Sequence, residues 1–262
     1  MRLKITLNRT SRQRMLPMDY QYLISAWIYK VLKQADKDFA SFLHEKGYGL
    51  SDTKLYKLFC FSRLDFGKPK MWKERKLFEI KEQEITLQIS FDVSEAATHF
   101  IKGLFMSQEF YLGDRFNGID FKVTSVEALA EPEFSETMHY RLQTPWVVSY
   151  KPEGRKYAQY LKPNEPMFNT LSVKHLKEKF LNTRKDGTIE TPIVLKLCGP
   201  SKRSGFLVKS GTNKETRVVG NIFDFELQAP IELQKMLWNA GVSEKSSSGF
   251  GWCEVNNKQM DN

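Results

Sequence analysis

Polar and apolar residues alternate from Arg2 to Asn8, the period-two pattern of a strand with one buried face. The pattern then changes. From Asp19 to Leu32 the apolar positions Leu23, Ile24, Trp27, Ile28, Val31 and Leu32 fall at spacings of three and four, which predicts a helix with that stripe in the core. Asp36 is placed to cap a short second helix through Phe39, Phe42 and Leu43 that ends near Gly47. Leu55 to Phe61 reads as a strand. Lys76–Ile80 and Glu84–Phe91 read as a hairpin joined by Lys81, Glu82 and Gln83. Ser94 is positioned to cap a helix from Glu95 to Met106, and Phe121 to Glu127 closes the series as a strand.

The second half repeats this grammar less regularly. Strands are predicted at Met138–Leu142, Pro145–Tyr150, Ile193–Leu197, Lys202–Lys209, Val218–Leu227 and Trp252–Val255. Helices are predicted at Phe168–Leu181, from the spacing of Leu171, Val173, Leu176 and Phe180, and from Pro230 to Asn239. Two consecutive βαββαβ series predict an α+β chain of tandem ferredoxin-like domains, each an antiparallel sheet with helices on one face. The boundary falls between Ala128 and Glu136, giving domains 1–130 and 131–262.

Composition narrows the functional classes. With 41% hydrophobic and 27% charged residues the chain reads as globular, and no run approaches the roughly 18 apolar residues of a membrane helix. Cys60, Cys198 and Cys253 are odd in number and widely spaced, so neither a disulfide framework nor a zinc site is expected and a cytoplasmic setting follows. Forty Lys and Arg against 31 Asp and Glu leave a net charge of +9, which favours a polyanionic partner. Lys68, Lys70, Lys73, Arg75 and Lys76 surround Trp72, and a second basic region runs from Lys196 through Lys202, Arg203, Lys209 and Lys214 to Arg217. Cations interleaved with aromatic residues suit RNA, whose phosphates need charge and whose unpaired bases need stacking surfaces. Trp72 is equally suited to packing on its own domain.

The most specific local feature is the run from Gly241 to Gly251, between a helix and a strand. Its glycines permit positive φ, and Gly241, Ser243, Lys245, Ser246, Ser247, Ser248, Gly249 and Gly251 together offer backbone and side-chain donors to phosphate. The residues from Gly220-Asn221-Ile222-Phe223-Asp224-Phe225 through Trp238-Asn239-Ala240-Gly241-Val242-Ser243 to Ser248-Gly249-Phe250-Gly251-Trp252 resemble the C-terminal signature of the CRISPR-associated repeat-RNA processing endoribonucleases. These belong to the repeat-associated "mysterious" protein superfamily. The signature pairs two glycine–apolar–glycine triplets, and here Ser243 stands where the first triplet's second glycine is usual.

No acidic cluster announces a two-metal nuclease, so no metal or other cofactor is expected. If the chain cuts RNA, the economical chemistry activates the ribose 2′-hydroxyl by general acid–base catalysis, for which histidine is suited near neutrality. Of His44, His99, His139 and His175, His44 lies next to a glycine turn after a helix, where functional groups concentrate. His99 reads as structural, His139 lies in a strand, and His175, among lysines, reads as solvated, with RNA contact the alternative. The resemblance also implies His44, in Leu43-His44-Glu45, as general acid or base, Tyr29 as its proton-transfer assistant and Lys57 as transition-state stabiliser. It implies cleavage of precursor RNA once per repeat, leaving a 2′,3′-cyclic phosphate and a 5′ hydroxyl. RNA contacts are expected from the glycine loop, Lys202, Arg203, Lys70 and Lys73. The implied partners are CRISPR repeat RNA and subunits of an interference complex, with the protein a monomer or homodimer. A non-catalytic guide-holding subunit of the same superfamily is the alternative.

Overall fold

The computed structural model describes residues 1–50, 54–155, 157–184, 187–210 and 212–256, so the final residues of the expected second domain lie outside the described residues. The first half contains β1 (Arg2–Arg9), β2 (Met15–Pro17), α1 (Tyr20–Ala35), α2 (Lys37–Glu45), β3 (Phe59–Phe61), β4 (Lys70–Trp72), β5 (Leu77–Glu79), β6 (Glu84–Phe91), α3 (Ser94–Met106), β7 (Glu109–Gly113) and β8 (Gly118–Leu129). The period-two pattern of β1 makes it the central strand, because Leu3, Ile5 and Leu7 are all buried. It pairs antiparallel with β6 on one side and β8 on the other, setting Ile5 opposite both Leu87 and Val126. The sheet order β3-β6-β1-β8-β7 is the ferredoxin-like order with β7 added at one edge.

The expected hairpin between Lys76–Ile80 and Glu84–Phe91 does not form. Both edges of β6 are taken by β1 and β3, so β5 pairs instead with β2 and β4 in a separate three-stranded sheet. The strand expected from Leu55 shortens to β3, since Leu58 adopts φ 51° and interrupts extended backbone just before it. Ser94 does not cap α3. Val93 occupies the cap position, while the Asp36 carboxylate does accept the Phe39 N–H at 2.8 Å to cap α2.

The second half contains β9 (Thr137–Leu142), β10 (Ser149–Tyr150), β11 (Gln159–Tyr160), α4 (Pro166–Thr183), β12 (Val194–Val208), β13 (Thr216–Gln228), α5 (Ile231–Ala240) and β14 (Cys253–Val255). Its sheet order β12-β13-β9-β14 repeats the ferredoxin-like arrangement. Two expected strands, Ile193–Leu197 and Lys202–Lys209, are one strand with an irregularity between Cys198 and Lys202. The strand expected from Pro145 shrinks to β10, because Trp146 makes only an isolated bridge to Asn221. Trp146, Phe168, Phe223 and Phe225 form an aromatic centre for this core.

The two sheets are joined by buried polar contacts. Arg2 lies between the rings of Trp238, at 3.2 Å, and Trp252, at 4.0 Å. It donates to the Trp238 carbonyl at 2.6 Å and the Cys253 carbonyl at 2.9 Å. Arg184, after α4, pairs with the buried Asp92 at 2.5 Å. No helix among the described residues is long and apolar enough to cross a membrane.

Candidate active site

α1 carries Tyr29 and the last turn of α2 carries His44. Packing of the two helices sets the rings 4.9 Å apart and nearly perpendicular, at 84°. Phe59 on β3 supports Tyr29 from behind at 5.7 Å. His44 is exposed and lies within the helix, one residue before its end, rather than past it. Burial pushes the Tyr29 hydroxyl up to about 12, with a polar contact to the Ser247 side chain drawing it partly back. At neutral pH Tyr29 therefore holds its proton.

The C-terminus of α2 leaves carbonyls without helical partners. Lys57 supplies them: its Nζ donates to the His44 carbonyl at 2.7 Å and the Lys46 carbonyl at 3.0 Å. Gly47, at φ +88°, makes the turn that follows α2, where a Cβ would come 2.6 Å from the Tyr56 carbonyl oxygen. Two of the three ammonium donors of Lys57 are thus committed, and partial burial lowers its pKa, with Glu45 opposing the shift. The sequence-derived set of Tyr29, His44 and Lys57 is brought together, with Lys57 bound to the histidine's own backbone.

The glycine-rich segment arrives from the second half of the chain. Gly241, Gly249 and Gly251 all have positive φ, and each would clash if it carried a Cβ: with Cys60, Phe61 and Ser243 respectively. The glycines therefore seat the loop against β3 and against itself. Ser243, the departure from the family signature, is buried; its hydroxyl accepts the Val147 N–H at 2.9 Å. Ser246 is also buried and donates to the Ser243 carbonyl at 2.7 Å. Phe250 stacks on Phe206 at 3.9 Å, anchoring the loop to the β12–β13 hairpin. Of the expected RNA-contacting residues here, Lys245 is exposed and Ser247 and Ser248 are half-buried, while Gly241, Ser243, Ser246, Gly249 and Gly251 are buried. Ser25 on α1 donates to the Ser247 carbonyl at 2.8 Å, which brings the loop tip beside Tyr29.

The remaining basic candidates lie apart from this cluster. Lys202 and Arg203 are exposed on the edge strand β12, with Arg203 donating to the Tyr160 carbonyl at 3.3 Å. Lys70 and Lys73 are exposed in and beside β4; the Lys70 amine sits 4.2 Å from the Trp72 ring, whose N–H donates to Glu79. A cavity of about 470 Å³ between the start of α1 and the β12–β13 hairpin is ringed by Arg63, Lys76 and Arg217. A second, of about 350 Å³, is lined by Lys57, Lys179, Lys209 and the loop residues from Ser243 to Ser248. Lys30 and Lys33 border a third, of about 290 Å³, together with Tyr29 and His44. Among the described residues, no three His, Cys, Asp or Glu side chains converge as a metal-binding group.

Two ionisable residues of α4 are buried. His175, expected to be solvated, is buried beside the loop. Burial, then Lys179 and Lys54, lowers its pKa to about 3. Since its unfolded value lies near 6.5, this group's stability contribution is full above pH 6.5 and declines as pH falls toward 3, at about 1.4 kcal/mol per unit. The unfolding free energy of the native protein, from urea denaturation, is expected to fall between pH 6.5 and pH 5 by about 2 kcal/mol more than that of His175→Gln; equal slopes would refute the assignment. Lys179 is likewise buried and lines the second cavity. The available signal was spacing, since Lys179 lies three and one residues from Leu176 and Phe180 on the apolar face.

Comparison with known proteins identifies the family of the chain. Residues 15–127 match the family described as CRISPR-associated protein Cas6, N-terminal, and residues 129–255 match CRISPR associated protein Cas6, C-terminal. A CRISPR-associated endoribonuclease Cas6 of Pyrococcus furiosus is 25% identical over 248 residues, covering 92% of this chain and 83% of the relative. The structure of a Cas6-related protein from Pyrococcus furiosus superposes with a TM-score of 0.79 at 23% identity, covering 99% of both chains. A RAMP protein described as binding different RNA substrates superposes with a TM-score of 0.77 at 21% identity, covering 98% of this chain and all of the other. The chain belongs to the Cas6 family of CRISPR-associated endoribonucleases.

Proposed function

We propose that this protein cleaves CRISPR precursor RNA within each repeat by metal-independent attack of a ribose 2′-hydroxyl. Family membership supports the repeat-processing endoribonuclease role. The observation that carries the mechanism is the meeting of Tyr29 with His44 at 4.9 Å, beside Lys57 and the tip of the glycine loop. His44 takes the proton of the 2′-hydroxyl, whose oxygen attacks the adjacent phosphorus. The bond from phosphorus to the 5′ oxygen breaks, and Tyr29, protonated at neutral pH, donates toward the departing oxygen. Lys57 holds the turn bearing His44 and places positive charge beside the phosphoryl group. The products are a 2′,3′-cyclic phosphate and a 5′ hydroxyl.

Substrate holding is assigned to Lys245, Ser247 and Ser248 of the loop and to the exposed cations Lys202, Arg203, Lys70 and Lys73. In this division the first domain (1–130) supplies the proton-transfer residues and the second (131–262) the RNA-binding loop. Delivery of the mature guide to an interference complex is the expected downstream step. The test is single-turnover cleavage of repeat RNA in excess EDTA, with and without the 2′-hydroxyl next to the scissile phosphate. Cleavage is expected only with that hydroxyl present and at an unchanged rate in EDTA. Tight binding without cutting under any metal condition would instead identify a guide-holding subunit.

A further inference from the structure

Lys179 projects from α4 into the protein interior, where it is 2% exposed. A buried ammonium is costly unless its donors are satisfied and its charge has a task. No carboxylate lies within ion-pair distance of it among the described residues. Its Nζ donates instead to the Ala240 and Gly241 carbonyls, both at 2.8 Å. These are the last residue of α5 and the first of the glycine loop, so the ammonium complements the negative end of the helix where the chain turns into the loop. Gly241, at φ +71°, turns the chain there, hard against Cys60. Lys179 also lines the cavity walled by Lys57 and Ser246–Ser248. At the other end of the same loop, Ser25 holds the Ser247 carbonyl and Ser247 meets Tyr29.

We propose that Lys179 is a positioning residue for RNA cleavage: by clamping the start of the glycine loop, it sets the place at which Ser247 meets Tyr29. The proposal rests on the catalytic reading above, because it acts through the loop on the Tyr29 hydroxyl. It differs from a general stabilising role in one respect. Displacing a loop by about 1 Å can slow chemistry about 100-fold while the folded state persists, and such a loss should depend on Ser247.

The experiment is a double-mutant cycle read by single-turnover cleavage. Lys179→Met, Ser247→Ala and the double variant are compared with the native protein, alongside His44→Ala. Affinity is measured separately with repeat RNA lacking the 2′-hydroxyl at the cut. Lys179→Met is expected to slow cleavage about 10- to 100-fold with affinity changed less than about threefold. The double variant should be no slower than the slower single variant, since both changes act on one contact. Multiplicative losses, or a loss of affinity that accounts for the loss of rate, would overturn the proposal. Should Lys179→Met fail to fold, Ser25→Ala loosens the same loop from the side of α1. It is expected to slow cleavage about threefold to tenfold, also without further effect when combined with Ser247→Ala; an unchanged rate there would count against the loop's positioning. Normal cleavage by His44→Ala would remove the underlying catalytic reading, whereas an inactive His44→Ala beside a normal Lys179→Met would remove this inference alone.

Discussion

His44→Ala is expected to lower the single-turnover cleavage rate about 1,000-fold while leaving the affinity for repeat RNA within about twofold. The magnitude is that of removing a general acid–base group whose binding role is small. His44 is exposed at the end of α2, so its loss opens no cavity, and its carbonyl, which Lys57 caps, is retained by alanine. The fold should therefore survive intact, and the melting temperature serves as the control. A variant that cuts within tenfold of the native rate would eliminate His44 as the proton-transfer group. Attention would then move to Tyr29, whose hydroxyl holds its proton at neutral pH because burial raises its pKa to about 12.

The largest effect on stability is expected at Arg2. Arg2→Ala removes a guanidinium held between two indole rings and leaves the Trp238 and Cys253 carbonyls without their donor. Each unsatisfied buried group costs about 1–3 kcal/mol, and the lost stacking adds to this. A total near 4 kcal/mol is a large share of a typical stability of about 5–15 kcal/mol. Urea denaturation gives the direct measurement, and a loss below about 1 kcal/mol would show that the indoles close over the gap. Arg2 lies on β1 while its partners lie on and beyond α5, so the loss should be felt as separation of the two sheets. Near-neutral behaviour would place the burden of joining them on the pair of Asp92 and Arg184.

The regular parts of this fold are legible because periodicity is a local property. β1 and α1 announce themselves through alternation and through the stripe at Ile24, Trp27, Ile28 and Val31, all of which are buried. Pairing is not local, and this is where the reading failed. Lys76–Ile80 has a strand's composition, but nothing in it reveals that β1 and β3 already occupy both sides of β6. At the site, Tyr29 and Lys57 follow from motif resemblance and His44 also from its place beside a glycine turn, and the structure supplies their relation. Lys57 bonds to the histidine's carbonyl, a contact invisible in spacing. The glycine loop taught the opposite lesson. Its serines looked like phosphate donors, yet Ser243 and Ser246 turn inward to fasten the loop, because buried hydroxyls must find partners. Lysine is so regularly solvated that Lys179 was passed over, although its place on the apolar face of α4 was readable.

The repeated sheet order has a consequence for the timing of activity. Tyr29 and His44 belong to the early part of the chain, whereas the loop that meets Tyr29 ends at Gly251 and is locked by Phe250 on Phe206. Under the proposed mechanism, a ribosome that has translated the first sheet has supplied the proton-transfer residues but not yet the RNA-gripping tip. Cleavage at full rate therefore waits until residues 241–251 have emerged and docked beside Tyr29.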